Sequence, residues 1–232
     1  MSLSPRKSLL SLAATALLAM VGSAAIAQES PEGNRVSYRL EIVNLTQAQQ
    51  FTPMLGVTHE PEVQLFNYGE PALPQLATLA EQGNIVPLRD LLSGLPQVHG
   101  LFNGEGLTAP GGKVTLEFAA NPRRDRLSVA AMLIPTNDAF VALRGGLLPT
   151  RGKSISYYLY AHDAGSEVND ERCASIPGPS FAECGGPGGG AVAGGGEGFV
   201  HLHNGIHGVG DLDPSTRDWR APVAIIVVTA QR

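Results

Sequence analysis

Five oxygen-bearing side chains crowd one short stretch: Asp163, Glu167, Asn169, Asp170 and Glu171 fall within nine residues. The apolar run 155–161 stops just before them, and Gly165 lets the backbone turn among them. A rigid strand that feeds an oxygen-rich loop suits a hard cation, since calcium takes about six to eight oxygen ligands. Ordinary solvated loop acids are the alternative. Asn169, Asp170 and Glu171 also have the residue types that cap a turn, here the one into Cys173.

A second pattern lies in HLHNGIHGVGDLD, where His201, His203 and His207 fall within seven residues. Alternate residues of a strand share a face, so His201 and His203 would point together. Three imidazoles suit zinc or copper, which would make the chain a metalloenzyme or a transition-metal-binding protein. The alternative packs His203 into a turn with Asn204-Gly205 and leaves the other two exposed. Asp211, Asp213 and Asp218 form a further acidic loop without the Gly and closing Glu of a helix-loop-helix calcium site. Asp211 would join a calcium site only if this loop folds back over Asp163. Nucleophile patterns are weak: there is no G-x-S-x-G, and Ser154, Ser156 and Ser166 have no positioned histidine. No residue is nominated as catalytic.

The elements that must position these groups are mostly strands. Val36, Tyr38, Leu40 and Ile42 alternate with polar residues, which predicts a strand with one wet face. Residues 51–59 read as a strand broken at Pro53, and 113–118 as one with Val114, Leu116 and Phe118 inward. Residues 127–134 are apolar on both faces, as a buried central strand should be, and so are 221–229. Residues 198–203 are a further strand candidate. The β pattern breaks at about 70–93. There Leu73, Leu76, Leu79 and Ala80 recur at helical spacing up to Gly83-Asn84, and Pro87 opens a second short helix. Residues 185–198 hold nine of the chain's 28 glycines. So little side chain to bury predicts a mobile surface loop. Trp219, the single tryptophan, reads as an anchor for the last strand.

Residues 1–27 read as an address. Arg6 and Lys7 precede an Ala-rich apolar stretch, and Ala25-Ile26-Ala27 fits a small-x-small cleavage rule. A mobile leader, 28–35, then precedes one domain, 36–232. The formal net charge is −5, and losing Arg6 and Lys7 makes it two units more negative. No basic cluster follows, which argues against nucleic acid as a partner. No apolar run of spanning length follows either, so no integral membrane segment is expected after cleavage. The two cysteines, Cys173 and Cys184, sit in an exported chain, where an even pair usually bonds; two free thiols are the alternative. Few aromatics with many glycines and prolines favour an all-β domain.

Several segments resemble the spondin N-terminal domain. The segment 127–140, LSVAAMLIPTNDAF, is similar to that family's S-M-L-V-P-S-P-D-W, and Asp163-Ala164-Gly165-Ser166-Glu167 to its D-A-G-T-D. Residues 219–224 (WRAPVA) also fit, while 65–72 (LFNYGEPA) and 203–208 (HNGIHG) look like a bacterial exported branch. The resemblance spans about 36–229. It implies an antiparallel, C2-like β-sandwich with a small helical insertion and one calcium ion among the loops at one end. The matching acids are Asp138, Asp163 and Glu167, the last longer by one methylene than the family's aspartate; Asp170 and Asp211 are secondary candidates. In animal relatives the module sits in matrix and adhesion proteins. The chain is therefore expected to be non-catalytic and exported, to the periplasm or beyond the cell. Its partner would be a protein or a cell-surface or matrix ligand of unknown identity.

Overall fold

The computed structural model describes residues 34–232. The address 1–27 and the leader as far as residue 33 lie outside the described residues. Strands β1 (Val36–Asn44), β2 (Gln50–Phe51) and β3 (Leu55–His59) come first, followed by helices α1 (Pro74–Gln82) and α2 (Val86–Ser93). The chain then runs through β4 (Val98–Asn103), β5 (Lys113–Ala120), β6 (Arg126–Ile134), β7 (Ala139–Gly146), β8 (Ser154–Leu159) and β9 (Ala161–Asp163). After β10 (Ser180–Phe181), β11 (Gly186–Pro187), β12 (His201–Leu202) and the short α3 (Pro214–Arg217), β13 (Ala224–Ala230) closes it.

These strands form an all-β sandwich. One sheet has the order β5-β1-β13-β8; the other runs β12-β9-β7-β6-β3-β4, with β2 added on β6. Neighbours pair antiparallel throughout both sheets. The alternation read in β1 is observed: Val36, Tyr38, Leu40 and Ile42 are buried between the sheets, packed with Val129, Ala131, Leu133 and Ile226. Each large apolar side chain buried this way contributes about 1.5–3 kcal/mol.

Strand β6 is buried on both faces because the second sheet is covered twice. Val129, Ala131 and Leu133 face the sandwich interior, while Ala130 packs with Leu76, Leu79, Ala80 and Leu88 of the two helices. Proline stands in the first turn of each helix, and Gly83 ends α1 in the left-handed conformation that glycine adopts without strain. Strand β13 differs from the doubly buried strand its composition suggests. It is central in its sheet, but Ile225, Val227 and Thr229 on its outer face are only half-buried, since α1 and α2 pack on the other sheet. The strand expected over 51–59 is two: β2 ends at Phe51, and β3 is internal, between β6 and β4.

The second sheet positions the site. Strand β7 pairs antiparallel with β9 in the register Ala139↔Asp163. This pairing brings Asp138, just before β7, and Asp163, the last residue of β9, to the same end of one sheet. Among the described residues no helix is long and apolar enough to cross a membrane.

Candidate metal centre

Asp138 and Asp163 are 0% and 1% exposed, and Glu167 is 1% exposed. Three carboxylates at one end of a sheet are thus removed from water. Gly165 makes this possible: it turns in the left-handed region, and its N–H donates to Asp163 Oδ1 at 2.7 Å. The turn aims the next amides at Asp138, whose Oδ2 accepts from Ser166 N–H at 2.8 Å, Ser166 Oγ at 3.1 Å and Glu167 N–H at 3.1 Å. Asp163 Oδ2 accepts from Asn169 Nδ2 at 2.7 Å. What remains is telling: among the described residues Asp138 Oδ1 and both carboxylate oxygens of Glu167 are buried without a well-formed hydrogen bond, the Val192 N–H of the glycine tract approaching Glu167 only loosely.

Unpartnered buried carboxylate oxygens are costly, and burial raises the proton affinity of both groups. Burial, then the charge of Asp163, pushes Asp138 up to about 6 against the pull of the Glu167 and Ser166 donors. Burial, then Glu81 and Asp138, pushes Glu167 up to about 8 against the pull of the Val192 N–H. Glu81 comes from α1, inside the helical insertion, and is itself buried. Helical spacing alone gives no hint that this residue turns toward the acids.

The glycine tract lies on the surface, as its composition suggests, but its backbone is tied to the acid loop. Gly194 N–H donates to Ser166 O at 2.9 Å, Gly198 N–H to Gly165 O at 2.9 Å, and Gly189 N–H to Cys173 O at 2.8 Å. A Cβ at Gly196 would stand 2.6 Å from the carbonyl oxygens of both Gly165 and Glu167. The absence of side chains lets this backbone lie directly on the backbone of the acid loop. Main-chain hydrogen bonds replace the side-chain burial whose lack suggests mobility. Cys173 and Cys184 are joined in a disulfide that closes the segment beneath the tract.

The secondary acids are used differently. Asp170 accepts from Asn137 Nδ2, Arg172 N–H and Ser175 Oγ, so its oxygens close the turn. Asp211 Oδ2 accepts from Cys173 N–H at 2.9 Å. Glu171, read as a capping acid, is a buried hub with φ of 53°. Its carboxylate accepts from the N–H groups of His207, Gly208 and Val209 at 2.6, 2.6 and 2.9 Å.

The three histidines do not gather as a triad. His207 is exposed, and its backbone sits on Glu171. His203 accepts from Gly205 N–H through Nδ1 at 3.1 Å and packs on Trp219 with ring centroids 5.1 Å apart. Burial, reinforced by His201 and His207, holds His203 below the usual histidine range, with Asp163 and Glu171 opposing. His201 and His203 do converge on Asp163: their Nε2 atoms stand 3.7 Å from Oδ1 and 3.9 Å from Oδ2. Glu197, at the end of the glycine tract and absent from both sequence patterns, joins them at 3.5 Å from His201 Nε2. For His201, burial lowers the proton affinity, but the Leu202 carbonyl, Asp163 and Glu197 outweigh it, and the net shift is upward.

A sandwich of this order, with an acid before β7 and an Asp-Ala-Gly-Ser-Glu turn after β9, belongs to the Spondin_N family, whose profile matches residues 42–170. Spondin-2 of Rattus norvegicus is 25% identical over 145 residues, which is 58% of this chain and 44% of the relative. The match therefore spans less than half of that protein's length.

Proposed function

We propose that the chain is an exported, calcium-binding β-sandwich that acts as a non-catalytic interaction or adhesion module. The observation that carries this reading is the pair of buried carboxyls with unpartnered oxygens, Asp138, which feels the charge of Asp163, and Glu167, which feels that of Asp138. Carboxylate oxygens without a donor are the type a hard dication takes. The ligand atoms of Asp138, Asp163 and Glu167 do not all lie within 4.8 Å of one another, so these side chains must draw together to share one ion. Asp138, Asp163 and Glu167 would hold the ion. Its charge would offset their repulsion and fix the loop end, and it would present a coordination position or charged surface to a partner. Membership of the spondin family supports an extracellular, adhesive role over catalysis. The partner is a protein or a cell-surface or matrix ligand.

A melting series in calcium tests this. Calcium at about 100 times its dissociation constant adds roughly 2.7 kcal/mol, which for a domain of this size raises the Tm by about 5–10 °C. Asp138→Asn and Glu167→Gln should each abolish most of that rise. A rise of the same size in both variants, or none in the unaltered chain at millimolar calcium, contradicts the assignment.

A further inference from the structure

We propose that Asp163, Glu197 and His201 form a site for a divalent transition ion of the zinc class. One donor atom from each of the three lies within 4.8 Å of the others. His201 Nε2 is 3.7 Å from Asp163 Oδ1 and 3.5 Å from Glu197 Oε2, too far for a good hydrogen bond. That nitrogen is buried and unpartnered. The two separations from His201 match the roughly 3.4 Å edge of a tetrahedral ion with bonds near 2.1 Å, and the third, Asp163 to Glu197, is within 4.8 Å.

The ring is also set in the correct tautomer. His201 Nδ1 lies 2.9 Å from the Leu202 carbonyl, which can only accept, so Nδ1 carries the proton. In the neutral ring the lone pair then sits on Nε2, toward the two carboxylates. A ligating histidine whose other nitrogen donates to a carbonyl is the usual arrangement at metal sites. His203 is set the opposite way. Its Nδ1 accepts from Gly205 N–H, so Nε2 of the neutral ring carries the proton and has no lone pair to offer. His203, only 6% exposed at its side chain, is thereby excluded as a ligand while it faces Asp163 Oδ2.

Donor chemistry selects the ion. One imidazole nitrogen with two carboxylate oxygens suits zinc and its neighbours better than calcium, which takes oxygen. The three donors come from β9, the end of the glycine tract and β12, so the ion would clamp the tract to the sheet edge. Three protein ligands would leave a position for water or for a partner's carboxylate. This site goes beyond the calcium reading and shares only Asp163 with it, so Asp163 is not a diagnostic variant.

The test is calorimetric titration of the metal-stripped chain with zinc alone. One zinc per chain is expected. Glu197→Gln and His201→Ala should each weaken it by at least the roughly 10–100-fold that loss of an outer-shell partner causes. Glu197 has a 42% exposed side chain, so its replacement leaves the fold undisturbed. His203→Ala and Asp138→Asn should retain zinc. Cobalt in place of zinc adds a spectroscopic readout: its visible absorption should change in His201→Ala and persist in His203→Ala. No saturable zinc binding, or binding unaltered in both Glu197→Gln and His201→Ala, overturns the proposal. Loss of the calcium-dependent melting rise with zinc binding intact would instead strike the calcium reading alone.

Discussion

The sandwich interior and the acid-lined loop end solve opposite problems. Between the sheets, Leu40, Ile42, Val129 and Leu133 are buried against one another with no polar group to satisfy. At the loop end, burial is just as complete, but it falls on Asp138, Asp163 and Glu167. The interior gains from excluding water. The loop end loses by it, and the proton affinities of Asp138 and Glu167 record the loss. The difference teaches that the loop end is built for something other than the stability of the bare chain.

The two regions should therefore respond differently to calcium. The largest expected effect is in the interior: Leu40→Ala should remove about 2–5 kcal/mol, by the same amount with or without calcium, in chemical denaturation. A calcium-dependent loss there would break the comparison. Replacing Cys173 and Cys184 by serine should remove about 2–3 kcal/mol from the chain-entropy effect of so short a loop. The same substitution should also weaken calcium binding, because Gly189 hangs on the Cys173 carbonyl below the acid loop.

The pH dependence sharpens the comparison further. A carboxylate whose folded proton affinity is raised stabilises the protein while protonated, and that contribution disappears as pH rises through the folded value. For Glu167 the window runs from its ordinary 4.5 to about 8, and for Asp138 from 3.8 to about 6. Without calcium, the Tm should fall from pH 5 to pH 8 through this contribution; with saturating calcium the fall should flatten. Identical slopes in both conditions would mean that the acids titrate without regard to an ion.

The smallest effects come from a pair of glycines. Gly196→Ala places a methyl group against two backbone carbonyls and should destabilise by about 1–3 kcal/mol and weaken calcium binding. Gly190→Ala meets nothing within 4 Å and should change stability by less than about 0.5 kcal/mol. Equal effects at both positions would show that the tract does not rest on the acid loop.

Much of this architecture could be read from residue patterns. The alternation in β1, the doubly apolar β6, the two helices and the disulfide follow from local periodicity and pairing of types. Strand β7 is not among the strands expected from the sequence, because residues 139–143 are buried throughout and show no period of two. Strand β4 carries a glycine and is half-buried along most of its length, which hides it as well. At the site, Asp138, Asp163 and Glu167 were legible from their family pattern. Glu81 and Glu197 were not, because their relevance depends on how a helix and a glycine tract fold onto the sheet. The two histidines near Asp163 were legible by type, but their opposite tautomers depend on single carbonyl and amide contacts.

The most direct measurement is a crystal structure of the chain grown with calcium. The account predicts one ion coordinated by Asp138 Oδ1 and Glu167 at about 2.3–2.6 Å, with Asp163 also a ligand. The same two side chains found ion-free at millimolar calcium, with their oxygens still unpartnered, would contradict it.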